Sequence, residues 1–208
     1  MAVSGAALFL FIVGHLLGNL QIFLGPEALN RYSAFLKSTG ELLWMARIGL
    51  LVMVAIHIWT AIALTLENRA ARPVAYAQKD YVKASYASRT MHLSGLIILI
   101  YLIYHLMHFT FLKIHPEFGQ LVDSQGRHDV YRMVVMSFQQ PAIAMIYIIA
   151  NLLLGTHLSH GIYSMFQSLG LVGENGRRCL QTVATVVGYG IFLAYAAIPL
   201  SVWMGWVK

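Results

Sequence analysis

Long runs without a charged side chain alternate with short charged segments along the whole chain. An α-helix rises about 1.5 Å per residue, so about 20 apolar residues cross the roughly 30 Å hydrocarbon core of a bilayer. The charge-free runs are residues 1–26, 48–66, 90–112, 133–173 and 179–207. They predict five membrane-spanning helices, near residues 2–24, 42–66, 90–112, 141–165 and 180–203.

The composition agrees with a membrane protein of one domain. Of the 208 residues, 59% are hydrophobic and 11% are charged, and the mean hydropathy is +0.68. A soluble chain of this length cannot bury so much apolar surface, which excludes a soluble monomer. We therefore predict an all-α integral membrane protein whose single domain covers residues 1–208.

The charge and cysteine content exclude other classes of protein. A formal net charge of +6 could attract nucleic acid, but the 14 Lys and Arg residues are dispersed among short loops. They form no basic helix face interleaved with aromatic side chains, so no nucleic-acid partner is expected. The single cysteine, Cys179, excludes a disulfide framework, a Cys-x-x-Cys metal site and the covalent attachment of c-type haem.

Basic residues concentrate in residues 67–89, between the second and third predicted helices. They are Arg69, Arg72, Lys79, Lys83 and Arg89. By the positive-inside rule this loop is cytoplasmic, which places the N-terminus inside and the C-terminus outside. The first apolar run lacks the basic start and the cleavage motif of a signal peptide, so it is interpreted as a true span.

Histidines are the unusual polar residues of the predicted spans, and ionisable groups inside a membrane are costly and usually functional. His15 and His105 lie on the two helices that run outward, near one depth. His57 and His157 lie on the two helices that run inward and share the other depth. The fifth helix has no histidine. The histidines therefore form two candidate pairs at two levels.

A short pattern also repeats ahead of two of these histidines. Ser4-Gly5 precedes His15 as Ser94-Gly95 precedes His105, with ten residues from the glycine to the histidine each time. A glycine on a membrane helix lets a flat ligand or a neighbouring helix approach the backbone. Two opposed imidazoles are what a six-coordinate haem iron needs. The two levels predict two haems in a four-helix bundle with a fifth helix beside it, their irons roughly 10–15 Å apart along the bundle.

Other readings of these histidines remain open. A lone histidine in a membrane is more often a hydrogen-bonded contact between helices than a ligand. His108 competes with His105, and His160 competes with His157, because residues three apart share a helix face. The depth favours His105 and His157, and it leaves His108 and His160 as propionate partners, as supports of the ligands or as packing residues.

At these residues the chain resembles the cytochrome b membrane anchor of succinate dehydrogenase and fumarate reductase, of the single-chain, five-helix, two-haem kind. The ordered set of four histidines carries the resemblance, which covers nearly the whole chain. The matching segments are Gly14-His15-Leu16-Leu17-Gly18-Asn19, Ala55-Ile56-His57-Ile58, Ser94-Gly95 through Tyr104-His105-Leu106, and Thr156-His157-Leu158-Ser159-His160-Gly161.

The resemblance implies an assignment of ligands and a function. His15 and His105 would ligate the iron of the haem distal to the partner subunits, and His57 and His157 that of the proximal haem. The chain would pass electrons from an iron–sulfur subunit, itself supplied by a flavoprotein subunit that oxidises succinate, through two haems b to a quinone. Menaquinone is the quinone commonly associated with the family, and the expected location is the bacterial inner membrane.

Two arginines are candidate partners of the haem propionates. Arg47 at the outer start of the second helix would serve the distal haem, and Arg89 at the inner start of the third helix would serve the proximal one. Ordinary snorkelling to the membrane interface explains both positions equally well. The basic loop would face the iron–sulfur subunit or anionic lipid headgroups. No spacing singles out a quinone-binding residue.

One position departs from part of the family. Some fumarate reductases of this kind carry a glutamate two residues before the ligand of the fourth helix, for proton transfer across the membrane, and this chain has Gly155 there. That pathway is therefore not expected.

Three other functions could also place histidines on membrane helices. A cytochrome b anchor of a hydrogenase or formate dehydrogenase would also place histidines on membrane helices, with other pairings and partners. A proton or metal transporter would normally need carboxylates within the spans, and the predicted spans contain no Asp or Glu. An anchor without a cofactor would leave four intramembrane imidazoles to be explained by packing alone.

Overall fold

The computed structural model describes residues 1–71 and 85–208, apart from the side chain of Glu174. Arg72, Lys79 and Lys83 of the predicted basic loop lie outside the described residues. Eight α-helices occur within the described part. They are α1 (Ala2–Asn19), α2 (Pro26–Ser38), α3 (Glu41–Ala70), α4 (Tyr86–Arg89), α5 (Met91–His105), α6 (Val130–Phe138), α7 (Pro141–Ser168) and α8 (Arg177–Trp203).

Five helical segments of the described chain are long and apolar enough to cross a membrane. They are Ala2–Leu24, Glu41–Ala70, Met91–Thr110, Pro141–Ser168 and Arg177–Trp203. The first continues from α1 as a 3-10 turn and the third continues from α5 as a π-helical turn. These segments lie over the five predicted spans, so the prediction of an all-α integral membrane protein is confirmed.

The helices α1, α3, α5 and α7 surround a common interior. α1 packs against α3 and α7, and α5 packs against α7. Thr65 on α3 and His92 on α5 are joined by a hydrogen bond of 2.7 Å between Oγ1 and Nε2. No comparable packing joins the described residues of the two remaining pairs, α1 with α5 and α3 with α7. These two pairs therefore lie across diagonals of the bundle.

Among the described residues, α7 and α8 form the most extensive helix pairing, and two glycines allow their backbones to come close together. A Cβ on Gly188 would lie 2.6 Å from the backbone oxygen of Gly155 and 2.8 Å from the backbone nitrogen of Ser159. A Cβ on Gly155 would lie 2.8 Å from Phe192 Cβ and 2.9 Å from Gly188 O. Most of the atoms that an added Cβ would meet belong to the backbone, which cannot rotate away. The two helices can therefore pack this closely only with glycine at these positions.

We expect Gly188→Ala to destabilise the protein, since the added methyl group would force two backbones apart. Overpacking of this kind costs about 1–3 kcal/mol. Gly190→Ala on the same helix is the matched control, because a Cβ there meets nothing within 4 Å. Thermal unfolding in detergent should give a lower apparent Tm for Gly188→Ala and a nearly unchanged one for Gly190→Ala. Equal values for the two variants would show that α8 is not seated through Gly188.

Two helices that the charge-free runs do not predict, α2 and α6, pack against each other at one end of the bundle. With residues 111–129 they form a cap over the C-terminal end of α1 and the N-terminal end of α7. Asn30 of α2 is 1% exposed. Its Nδ2 donates to Asp129 Oδ1 at 2.9 Å, and its Oδ1 accepts from the backbone nitrogen of Tyr131 at 2.9 Å. One buried amide thus ties α2 to α6.

An ion-pair network also holds the cap together. Arg127 Nη2 lies 2.6 Å from Glu27 Oε2 and 2.7 Å from Asp123 Oδ2. The bonded guanidinium lowers the pKa of both carboxyls, and the two carboxylates raise the pKa of Arg127. The carboxylates stabilise the cap above their unfolded-state pKa values, and this contribution is lost as the pH falls through the lowered ones.

Candidate functional site

His57 of α3 and His157 of α7 face each other inside the bundle. Their ring centroids are 6.5 Å apart and the ring planes are inclined by 64°. Gly5 and Gly95 flank this pair, because a Cβ on Gly5 would lie 3.5 Å from His57 Cε1 and one on Gly95 would lie 3.6 Å from His157 Cε1. The glycines of the repeated Ser-Gly pattern thus adjoin histidines of the neighbouring helices, and not the histidines of their own helices.

His15 of α1 and His105 of α5 form a second pair. Their ring centroids are 5.9 Å apart and their planes are nearly perpendicular, at 86°. Phe11 stacks on His15 with a centroid separation of 5.3 Å. Tyr195 of α8 lies 6.3 Å from the His15 ring and donates its hydroxyl to Ile12 O at 2.8 Å. The fifth span therefore closes one side of this pair.

The two pairs occupy different levels of the bundle. His57 and His157 contact residues in the first turns of α1 and α5, where Ser4 and Ser94 lie. His15 and His105 follow these serines by eleven residues on the same helices. At about 1.5 Å per residue, the levels are separated by roughly 16 Å. The separation of roughly 10–15 Å expected between two irons along the bundle stays a prediction.

His108 is completely buried, with both ring nitrogens in hydrogen-bonding distance of side chains. Its Nδ1 lies 3.0 Å from Tyr147 Oη and its Nε2 lies 3.2 Å from Ser137 Oγ. Ser137 donates its own hydrogen to Met133 O at 2.8 Å, so its oxygen accepts the Nε2 hydrogen of His108. His108 Nδ1 then accepts from Tyr147, which leaves His108 no free nitrogen for a metal.

The same chain of hydrogen bonds reaches His105. Tyr147 Oη lies 3.4 Å from His105 Nδ1. Since the Tyr147 hydrogen goes to His108, the Tyr147 oxygen accepts the Nδ1 hydrogen of His105, and His105 Nε2 keeps its lone pair. Tyr147 was not among the residues predicted for the site, because a lone tyrosine in an apolar run gives no signal. Its contact with both histidines depends on the π-helical turn Leu106–Thr110, which rotates His108 relative to His105.

Three further predicted residues have the following places in the structure. His160 Nε2 lies 3.0 Å from Ser164 Oγ on its own helix. The Arg47 guanidinium carbon lies 5.1 Å from the centroid of the Trp44 ring, and Arg89 ends α4 at an exposed position. These three residues stay predictions as partners of a haem.

The ring spacing of each histidine pair suits two imidazoles that would hold one haem iron between them. A metal-bound imidazole nitrogen lies about 2.0–2.1 Å from the metal. Adding about 1.1 Å from nitrogen to ring centre on each side, two opposed ligands have centroids about 6.3 Å apart. The observed 5.9 and 6.5 Å bracket this value. Within residues 1–71 and 85–208, no group of three or more His, Cys, Asp or Glu side chains could hold a metal ion.

The position of each pair also suits a flat macrocycle. Each pair bridges helices on a diagonal of the bundle, which share no extensive packing within the described residues. Glycines adjoin the His57 and His157 rings where a larger residue would project between the helices. Two nitrogens from the protein would complete the coordination of an iron that a porphyrin already holds by four.

Comparison with known families identifies the chain. A family model described as the succinate dehydrogenase/fumarate reductase transmembrane subunit matches residues 65–197. The chain belongs to this family. This transmembrane subunit is therefore part of a succinate dehydrogenase or fumarate reductase complex. The family match favours this complex over a hydrogenase or a formate dehydrogenase. Neither the curated proteins nor the solved structures contain a match.

The matched range includes one histidine of each pair in this transmembrane subunit. His105 and His157 fall within residues 65–197, whereas His15 and His57 precede them. The partners from α1 and α3 are therefore supported by their positions opposite His105 and His157.

The structure also accounts for Gly155, where some related reductases carry a glutamate. Gly155 is in contact with Gly188 and Phe192 of α8, and its ideal Cβ would lie 2.9 Å from a backbone oxygen. A carboxylate side chain has no room there. The absence of the glutamate thus agrees with the close pairing of α7 and α8 in this transmembrane subunit.

Proposed function

We propose that this subunit binds two haems b and conducts electrons between the iron–sulfur subunit of its complex and a quinone. The observation that supports the proposal most strongly is the pairing of four histidines from four helices at two levels. His57 and His157 would ligate the iron of the proximal haem, and His15 and His105 that of the distal haem. A bound haem supplies a one-electron carrier, and two carriers at successive levels provide a path along the bundle.

The residues of the chain would hold and shield these groups. The imidazoles would supply nitrogens to the iron, and the apolar helix faces would exclude water and so influence the reduction potentials. Arg47 would neutralise propionates of the distal haem and Arg89 those of the proximal haem. His108 would support the distal ligand through Tyr147, and His160 is a candidate propionate partner or support of His157. Succinate itself would react on the flavoprotein partner and not on this chain.

We propose the following orientation in the bacterial inner membrane. The N-terminus and residues 67–89 face the cytoplasm, toward the flavoprotein and iron–sulfur subunits, and the C-terminus faces outward. The proximal pair, level with the first turns of α1 and α5, then lies nearer the cytoplasm. The cap and the distal pair lie nearer the outer face, where a quinone, proposed to be menaquinone, would react.

Purification of the tagged chain from its native membrane tests this function. We expect co-purification of a flavoprotein and an iron–sulfur protein, and an absorption spectrum of low-spin b-type haem. Acid–acetone extraction should release two haems per chain, and succinate or fumarate should change their redox state in the intact complex. A correctly assembled complex without a Soret band would overturn the proposal. One haem per chain would leave only one of the two histidine pairs as a site.

A further inference from the structure

Two serines occupy equivalent places beside the His57–His157 pair. Ser4 Oγ lies 3.3 Å from His57 Nδ1, and Ser94 Oγ lies 3.2 Å from His157 Nδ1. Both serines are buried, with exposed fractions of 4% and 3%. Each is followed by a glycine, and each bonds to a histidine that lies on a different helix. The same arrangement thus occurs twice, once from α1 and once from α5.

The direction of these hydrogen bonds follows from the second bond of each serine. Ser4 donates its hydroxyl hydrogen to Met1 O at 2.9 Å, and Ser94 donates to Met91 O at 3.1 Å. A serine has one hydrogen to give. Its oxygen must then accept from the imidazole, so His57 and His157 carry their hydrogen on Nδ1. In a neutral ring the other nitrogen, Nε2, keeps a lone pair free to bind a metal.

We propose that Ser4 and Ser94 are positioning residues that hold His57 and His157 in the Nδ1–H tautomer, with Nε2 turned toward the iron of the proximal haem. The proposal rests on the proposed function of this pair. A partner that accepts the Nδ1 hydrogen fixes the ring about its axis and makes the ligand more basic. A more basic imidazole favours ferric iron, so the two serines hold the potential of this haem lower than it would be without them.

The serines act at one level only. In the other pair, His105 Nδ1 faces the Tyr147 hydroxyl at 3.4 Å, and the amide of Asn19 is the polar neighbour of His15. Substitution of a serine should therefore affect the haem of His57 and His157 and leave the haem of His15 and His105 unchanged. This selectivity separates positioning of a ligand from a general effect on the fold.

The test is a potentiometric titration of the purified complex carrying Ser4→Ala, Ser94→Ala or both. Each substitution should move the midpoint potential of one haem to a more positive value, and the double variant should move it further. The low-spin ferric EPR signal of the same haem should shift, because the imidazole planes are no longer fixed. The affinity for this haem should fall by about tenfold or more.

Two further variants decide the outcome. Ser94→Thr keeps the hydroxyl group and should retain the wild-type potential and EPR signal. Ser201→Ala is the matched control, because Ser201 is also buried, at 5% exposed, and donates to the carbonyl of Ile198 three residues earlier at 2.9 Å. It should change neither haem.

Several results would overturn the proposal. Unchanged potentials and EPR signals in the double variant would do so, as would an equal shift of both haems. If Ser94→Ala loses the haem, the result for Ser94→Thr shows whether the hydroxyl group matters. Loss of the haem in Ser94→Thr as well would show that Ser94 acts through packing alone. A wild-type complex without haem would instead reject the proposed function.

Discussion

His157→Ala is expected to remove one of the two b-type components and to leave the other in place. His157 lies 6.5 Å from His57, centroid to centroid, and roughly 16 Å along the bundle from the level of His15 and His105. If the pair holds a haem, loss of one nitrogen would leave its iron five-coordinate and high-spin or would release the haem. The second pair keeps both nitrogens. Haem content should fall toward half, with one low-spin signal remaining.

Three companion variants make this experiment specific. His57→Ala should remove the same component as His157→Ala, because the two rings would share one iron. Imidazole added to a His157→Gly variant should restore a low-spin signal if the vacated space lies beside the iron. His115→Ala is the matched histidine control, because His115 belongs to the cap and bonds to Glu117 at 2.9 Å. Loss of different components from the His57 and His157 variants would contradict the pairing.

The membrane spans could be predicted because one physical requirement dominates them. A charged side chain is costly in hydrocarbon, so charge-free runs mark the helices that cross it. The same criterion cannot find α2, in which Glu27, Arg31 and Lys37 interrupt the apolar residues. α2 is stabilised by its contacts with α6 and α1, and such contacts depend on the folded arrangement of the chain.

The histidine pairs could be proposed from the sequence because helical rise converts residue number into depth. The regular rise also placed Gly5 and Gly95 beside the space between the helices. The serines next to them belong to the repeated pattern, but their partners could not be predicted, since a hydrogen bond from α1 to α3 or from α5 to α7 depends on how the helices rotate about their axes. Ser4 and Ser94 therefore became interpretable only with the helices in place.

The relation between His105 and His108 shows a further limit of sequence patterns. Depth alone favoured His105, but a regular helix would have left the two residues on one face. The π-helical turn Leu106–Thr110 begins between them and carries His108 into contact with Tyr147 and Ser137. A single π-helical turn has no reliable sequence signature, although such turns are frequent at functional sites. The hydrogen bonds around His108 could therefore be identified only from the structure.

The second large effect is expected from His105→Ala, which should abolish the haem shared with His15, whereas His108→Ala should retain both haems. The reason is that His105 Nε2 keeps its lone pair, while both nitrogens of His108 are engaged by Tyr147 and Ser137. Removal of the His108 ring leaves the buried Tyr147 hydroxyl without its acceptor, at a cost of about 1–3 kcal/mol.

The two variants are therefore distinguished by two measurements. Haem content and the reduced-minus-oxidised spectrum should change for His105→Ala, and the apparent Tm should fall for His108→Ala while its two b-type signals persist. Tyr147→Phe removes the hydroxyl group that links His105 to His108 by hydrogen bonds but keeps the aromatic ring. This variant should therefore keep both haems and shift the potential of the haem expected at His15 and His105. The opposite result, in which His108→Ala loses a haem and His105→Ala keeps both, would transfer the axial role to His108. The π-helical turn would then have to be rearranged when haem is bound.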